Sequence, residues 1–157
     1  MLIRTATAQD WPGIWVFMAG VVAAGETYTY PQDMGPDEGR AAWMLADPWV
    51  VLVAAEGERI LGTARYGPNL PGRGSHVANA SFIVDPAASG RGVGRALAER
   101  VLADATAAGY SAMQFNAVVA TNTVAIALWE SLGFRILTTV PEAFDHPTDG
   151  PVGLHIM

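Results

Sequence analysis

The residues best suited to chemistry form one run near the middle of the chain, Ser89-Gly90-Arg91-Gly92-Val93-Gly94. Ahead of it, Ser81-Phe82-Ile83-Val84 is β-branched and aromatic, and Asp85-Pro86 stops it. Behind it, Val93, Leu97, Val101 and Ala105 fall at a spacing of four along one helix face, and Gly109 closes that helix. A glycine-rich turn thus feeds a helix N-terminus, where free N–H groups and the positive end of the dipole can hold an anion. At Gly90, Gly92 and Gly94 no Cβ keeps the main chain away from a phosphate. Arg91 and Arg95 add local positive charge. The dinucleotide pattern G-x-G-x-x-G fails, because Gly94 continues as Arg95-Ala96-Leu97, and the P-loop fails for want of Gly-Lys-Ser/Thr.

Other polar residues are candidates by context. Glu26, Tyr28, Tyr30 and Asp33 crowd one connection, Gly25–Gly35 (GETYTYPQDMG), and such loops often carry function on a rigid scaffold. Asn79 (HVANASFIV) and Asn116 (AMQFNAVV) interrupt otherwise apolar strands. A buried amide is costly unless it is paired, so each is either satisfied by backbone or aimed into a cleft, where it suits a carboxylate or carbonyl. Glu26, His76 and His146 are the candidate general bases, the histidines by their ordinary pKa. Cysteine is absent, which excludes a disulfide framework, a cysteine nucleophile and thiolate metal ligation. No Ser-His-Asp spacing points to an acyl-enzyme.

These residues need a scaffold. The chain has 157 residues, 51% hydrophobic and 15% charged, which fits one domain over residues 1–157 with a full core. The net charge of −6 argues against nucleic acid, and no apolar run reaches the ~18 residues of a membrane span. The segment 13–25 is uncharged but reads as a buried first helix rather than a leader. The absence of cysteine is compatible with a cytoplasmic location, which is the expectation. Strands are expected at 1–7, 49–55, 60–66, 76–84, 111–119, 134–140 and 152–157. Helices are expected at 12–24, from Pro36 to about residue 47, from Val93 to Gly109, and at 123–132, with a loop at 141–150. The order β-α-α-β-β-β-α-β-α-β-β gives an α/β (α+β) fold, a mixed, mostly antiparallel sheet around a central β-α-β unit with helices on both faces.

Val84-Asp85-Pro86 with Arg91-Gly92-Val93-Gly94 resembles the pyrophosphate loop of the GNAT superfamily of N-acetyltransferases, usually Val-x-Pro and then Arg/Gln-x-x-Gly-x-Gly/Ala. Ser89 departs from it, standing where the family usually has Arg or Gln. The run from Asn122 through Ala125, Trp129 and Gly133 to Phe134 resembles the family's Asn-x-x-Ala-x-x-x-Tyr-x-x-x-Gly-Phe at the same distance after the loop. The order of elements resembles the GNAT fold over the whole chain.

The resemblance implies acetyl-CoA as acyl donor, with no metal. It would be held by Phe82, Ile83, Val84, Ser89, Gly90, Arg91, Gly92, Val93, Gly94, Arg95, Asn122, Ala125 and Trp129. It implies direct attack by an amine, with a backbone N–H around Ile83-Val84 polarising the thioester carbonyl. Trp129 occupies the place of a tyrosine that protonates the departing thiolate, which an indole cannot do. A thiol pKa near ~8.5 makes the unprotonated thiolate a tolerable leaving group. GSHVANA, MQFNAVV and NTVAIALWESLGF look like the subgroup of fungal proline-analogue N-acetyltransferases, and GETYTYP is similar to acetyltransferases that detoxify phosphinothricin. By that resemblance Glu26, Tyr28, Asn79 and Asn116 line the site of a small amino-acid-like amine, and a homodimer is expected. Transfer to a protein or peptide amine, and a non-catalytic acyl-CoA sensor on the same scaffold, stay open at this stage.

Overall fold

A computed structural model describes residues 1–157. Four strands build an antiparallel meander: β1 (Leu2–Thr5), β2 (Val50–Glu56), β3 (Arg59–Pro68) and β4 (Val77–Val84). Helices α1 (Trp11–Ala24) and α2 (Pro36–Trp43) come between β1 and β2. Helix α3 (Val93–Ala107) follows β4, and the short strand β5 (Ala112–Met113) returns parallel to it, making the sheet order β1-β2-β3-β4-β5. A second sheet, in the order β6-β8-β7, is formed by β6 (Val118–Val119), β7 (Thr138–His146) and β8 (Gly150–Ile156), with helix α4 (Thr123–Ser131) inserted after β6. The mixed fold with helices on both sheet faces is the expected one.

Two apolar layers flank the five-stranded sheet. Helix α1 is apolar around most of its circumference, and Ile14, Met18 and Val22 bury against Val51, Val53 and Ile83. The fourfold stripe of α3 (Val93, Leu97, Val101, Ala105) buries on the other face against Leu52, Ala64 and Ala80. On the α1 side, Trp43 Nε1 donates to Thr63 Oγ1 (3.0 Å), which donates to Leu52 O (2.8 Å), so the deepest polar group is satisfied. Asp10, 8% exposed, takes both Arg4 Nη1 and Nη2 (2.8 and 2.7 Å) and ties β1 to the start of α1.

Two expectations are corrected. Residues 111–119 are not one strand. The ladder to β4 ends where Gln114 N–H donates to Ala78 O (2.8 Å), and Phe115 immediately exchanges both backbone bonds with Met157 (2.9 and 3.1 Å). Two sheets compete for one segment, and each takes two residues of it. The other correction concerns residues 134–150. Strand β7 begins at Thr138 rather than at Phe134 and continues to His146 through the expected loop. Its register shifts between Val140 and Phe144, where Pro141 lacks an N–H and Glu142 adopts φ 51°.

Candidate active site

The divergence of β4 from the chain after Met113 creates the site. Strand alternation sets which backbone groups are exposed. Asp85 N–H donates to Leu61 O on β3, so Ile83 also faces β3. Ala78 O faces β5, so Ala80, Phe82 and Val84 turn their backbone groups toward the opening. A cleft of about 670 Å³ fills it. One wall comes from α1 and the loop 26–30, the other from residues 115–119 and α4, and β4 forms the floor.

The glycine loop lies at one end of β4. Gly90 and Gly92 have φ +74° and +77°, and a Cβ at either would meet nothing within 4 Å, so their need is conformational and the space beside them is open. Gly94 has no such requirement: it sits in the first turn of α3, near Leu128 and Val84. The first bond of α3 runs from Ala96 N–H to Gly92 O (3.0 Å), which leaves the N–H groups of Val93, Gly94 and Arg95 without helical acceptors. Val93 contributes only backbone there, because its side chain is core. Ser89 lines the cleft, but residues 90–95 lie beyond its lining. Both arginines are engaged elsewhere. Arg91 Nη2 donates to both Glu56 oxygens (2.9 Å each), and Arg95 Nη2 donates to Ser131 Oγ (2.7 Å). Arg91 holds the Glu56 carboxyl below its usual pKa.

Along the cleft floor, Phe82 is the central residue. Tyr28 Oη donates to Phe82 O (2.7 Å) and accepts from Phe82 N–H (3.1 Å), so one phenol satisfies both exposed groups of that peptide position. Burial pushes the Tyr28 hydroxyl well above its ordinary pKa, and neighbouring Tyr30 adds to this, so it stays protonated. With Phe82 occupied and Ile83 turned to β3, the free donor of this strand end is Val84 N–H, the second of the two residues the resemblance named.

The far wall holds Asn122, Ala125 and Trp129. Asn122 Oδ1 accepts from Ala125 N–H (3.2 Å) and caps α4. Trp129 is 7% exposed, with its ring 4.9 Å from Phe82 and 4.7 Å from Phe115. It packs as a core aromatic while also lining the cleft. Val124, missed by the sequence reading, is 82% exposed on the same wall, an apolar side chain left uncovered at the mouth.

At the other end, Glu26, Tyr28, Asn79 and Asn116 all line the cleft. Asn79 Nδ2 donates to Gln114 O (2.8 Å) and pins the strands where they part. The Asn116 amide is engaged at both atoms: Nδ2 donates to Asn69 Oδ1 (2.7 Å) and Oδ1 accepts from Gln114 Nε2 (2.9 Å). Glu26 is exposed and is the one carboxylate of the lining. His76 bonds to Arg73 O (3.0 Å) and His146 pairs with Asp149 (3.4 Å), both away from this lining. Arg65 lines the cleft as well. The sequence reading missed it because its place in a strand run gives no motif.

A family model described as the acetyltransferase (GNAT) family matches residues 15–134. Among solved structures, a GCN5-related N-acetyltransferase from Kribbella flavida is 50% identical, with TM-score 0.95 over 99% of this chain and 95% of that one. The putative acetyltransferase yncA from Salmonella typhimurium, solved with its cofactor acetyl-CoA, is 25% identical, with TM-score 0.83 over 100% of this chain and 91% of that one. Among curated proteins, N-acetyltransferase aca1 of Schizosaccharomyces pombe is 44% identical over 84 residues, 54% of this chain and 40% of the relative. The chain thus spans less than half the length of the curated relatives it matches.

Proposed function

The chain belongs to the acetyltransferase (GNAT) family, and from that premise we propose that it acetylates the amine of a small amino-acid-like acceptor, with acetyl-CoA as donor. The observation that carries this reading is the open edge of β4, where Val84 N–H faces a cleft whose lining reaches Ser89, in the loop that leads to the free N-terminus of α3. The residues fit the donor chemically. The N–H groups of Val93, Gly94 and Arg95, with Gly90 and Gly92 beside open space, suit a pyrophosphate. Ala125 and Val124 offer a small and an apolar surface to a pantetheine arm, and Asn122 offers its unused amide N–H₂.

Acetyl-CoA supplies the acetyl thioester: the acceptor nitrogen bonds the acetyl carbon, the C–S bond breaks, and the proton the amine loses ends on the thiol or on solvent. The protein contributes position and polarity. Val84 N–H donates to the carbonyl oxygen as negative charge develops there. Tyr28 fixes the Phe82 peptide and so the pitch of that donor. Glu26 accepts the amine proton, directly or through water. Trp129 donates no proton to the thiolate, and the buried aromatic cluster around it keeps water out.

Calorimetry with acetyl-CoA and CoA, followed by thiol release against a panel of amino acids, tests this. Micromolar binding with release on an amino acid is expected. Glu26→Gln should lower kcat about 100-fold near neutral pH and recover activity as pH rises and the amine deprotonates itself. Absence of donor binding overturns the reading. Because Trp129 lacks an acidic proton, binding without release on any amine would establish the second reading, an acyl-CoA sensor.

A further inference from the structure

Arg65 is a cation without an anion. Its guanidinium carbon lies 5.1 Å from the Trp43 ring centroid and 5.5 Å from that of Trp49, so two indoles hold it. Nη1 donates to Ala42 O, while Nε is buried with no partner at all. None of the ion pairs of the protein includes Arg65. The arrangement is built from several directions. Gly67 lets Trp49 lie against the strand, since a Cβ there would sit 2.5 Å from its ring. Trp43 is fixed by its bond to Thr63. An unpaired, half-buried charge is costly, and one cation–π cage with one carbonyl leaves guanidinium donors unused.

Arg65 is a lining residue of the cleft. On the ladder Arg65 stands opposite Ser81, and Gly67 stands opposite Asn79, so these side chains share the α1 face of the sheet. Tyr28 and Tyr30 stack over the same region at 5.5 Å, and the Tyr28 ring meets Trp43 edge-on. Burial raises the hydroxyl pKa of both tyrosines, and the charge of Arg65 works against that rise, as expected of a cation close to both. Tyr28 therefore spans from the Arg65 cage to the Phe82 peptide, two residues before the Val84 N–H that faces the thioester. The pyrophosphate end lies beyond Val84, on the other side.

We propose that Arg65 is the anchor for the acceptor's carboxylate, so that the acceptor is an α-amino or imino acid with a free carboxylate rather than an amine, an amide or a peptide chain. This rests on the small-acceptor reading above and narrows it. A planar carboxylate matches the guanidinium fork, and the surrounding rings exclude water from the pair.

The test compares matched pairs of amino acid and primary amide, by thiol release with saturating acetyl-CoA, in wild type, Arg65→Met and Arg65→Lys. Wild type should prefer the acid by about 30-fold in kcat/KM. Arg65→Met, which keeps an apolar stem between the two indoles, should bring that preference to within about threefold, the acid losing far more kcat/KM than the amide. Arg65→Lys should retain an intermediate preference, because a point charge replaces the fork. Acetyl-CoA affinity should stay the same in all three. A purely structural role predicts that Arg65→Met lowers acid and amide alike, and that result overturns the proposal, as does a wild type indifferent to the carboxylate. Should Arg65→Met fail to fold, Arg65→Lys decides on the same ratio. Turnover of amino acids with an unchanged acid preference in the variants sinks this inference alone. Turnover confined to peptide amines sinks the small-acceptor reading and this inference together.

Discussion

The two ends of the cleft are made of different material. At the α3 end the groups offered to a ligand are backbone: the N–H groups of Val93, Gly94 and Arg95, exposed by two glycines of positive φ, with both nearby arginines tied to Glu56 and Ser131. At the Arg65 end they are side chains, Glu26, Arg65, Asn79 and Tyr28, drawn from a loop and two strands. A backbone site binds what every donor molecule shares and needs only glycine and a helix start. A side-chain site reads what differs between acceptors. On the proposed function, the division assigns affinity for the donor to one end and choice of acceptor to the other.

Gly92→Val gives the largest expected effect. A β-branched residue at φ +77° is strained, and its side chain occupies the space a phosphate would take. Acetyl-CoA affinity, read by calorimetry, should fall about 100-fold, with folding confirmed by circular dichroism. Retained affinity would mean that the donor is not held by this backbone.

Asp10→Asn comes next and should touch neither end directly. Its carboxylate is held by Arg4, and also by Thr7 N–H (2.7 Å) and Thr7 Oγ1 (2.9 Å). The hydrogen bonds from Arg4 chiefly depress its pKa below the usual carboxylate range, outweighing burial. A folded-state pKa below the unfolded value of about 3.9 gives stability that is complete well above that pH and is lost as pH falls through the folded value. Urea unfolding should show the variant about 2 kcal/mol less stable at pH 7, with the gap closing under acid. A gap that ignores pH would show that shape, not charge, holds β1 to α1.

Tyr28→Phe bears on the junction of the two ends. Removing the hydroxyl leaves Phe82 N–H and C=O facing the cleft without a protein partner. A kcat about tenfold lower with unchanged acetyl-CoA affinity is expected, because the strand that carries Val84 N–H loses its brace. A change confined to donor affinity would contradict the division.

The same contrast decides how much could be read from the sequence. Glycines at fixed spacing before an α3 stripe of Val93, Leu97, Val101 and Ala105 report backbone geometry, so the loop and its helix are legible. Asn79 and Asn116 stand out because an amide is rare in an apolar strand, and both do reach the cleft. Their partners were invisible: Gln114 and Asn69 come together only because the strands part at Met113. That parting is itself a competition between two sheets for residues 112–119, decided by pairing with Met157 at the far end of the sequence. Arg65 looked like a polar position in a strand, and only the packing of Trp43 and Trp49 makes it a site. The strand through Pro141 was hidden because proline and Glu142 form a bulge that local pattern reads as a loop.

The smallest expected effect bears most directly on the claim that the α3 end is backbone. Arg91 looks, by its place in the loop, like the residue that greets a phosphate, yet it gives both contacts from Nη2 to Glu56 on β2. Both partners are solvent-exposed, so water and salt screen the pair and little is lost when it breaks. Arg91→Ala should therefore weaken acetyl-CoA by no more than about threefold. Glu56→Gln separates the two accounts further. It removes the competitor and leaves Arg91 free to swing toward the anion, so donor affinity should rise about twofold at low ionic strength and return to the wild-type value as salt increases. If Arg91→Ala instead abolishes binding, the guanidinium rather than the helix N-terminus holds the phosphate, and the two ends of the cleft are alike in being made of side chains.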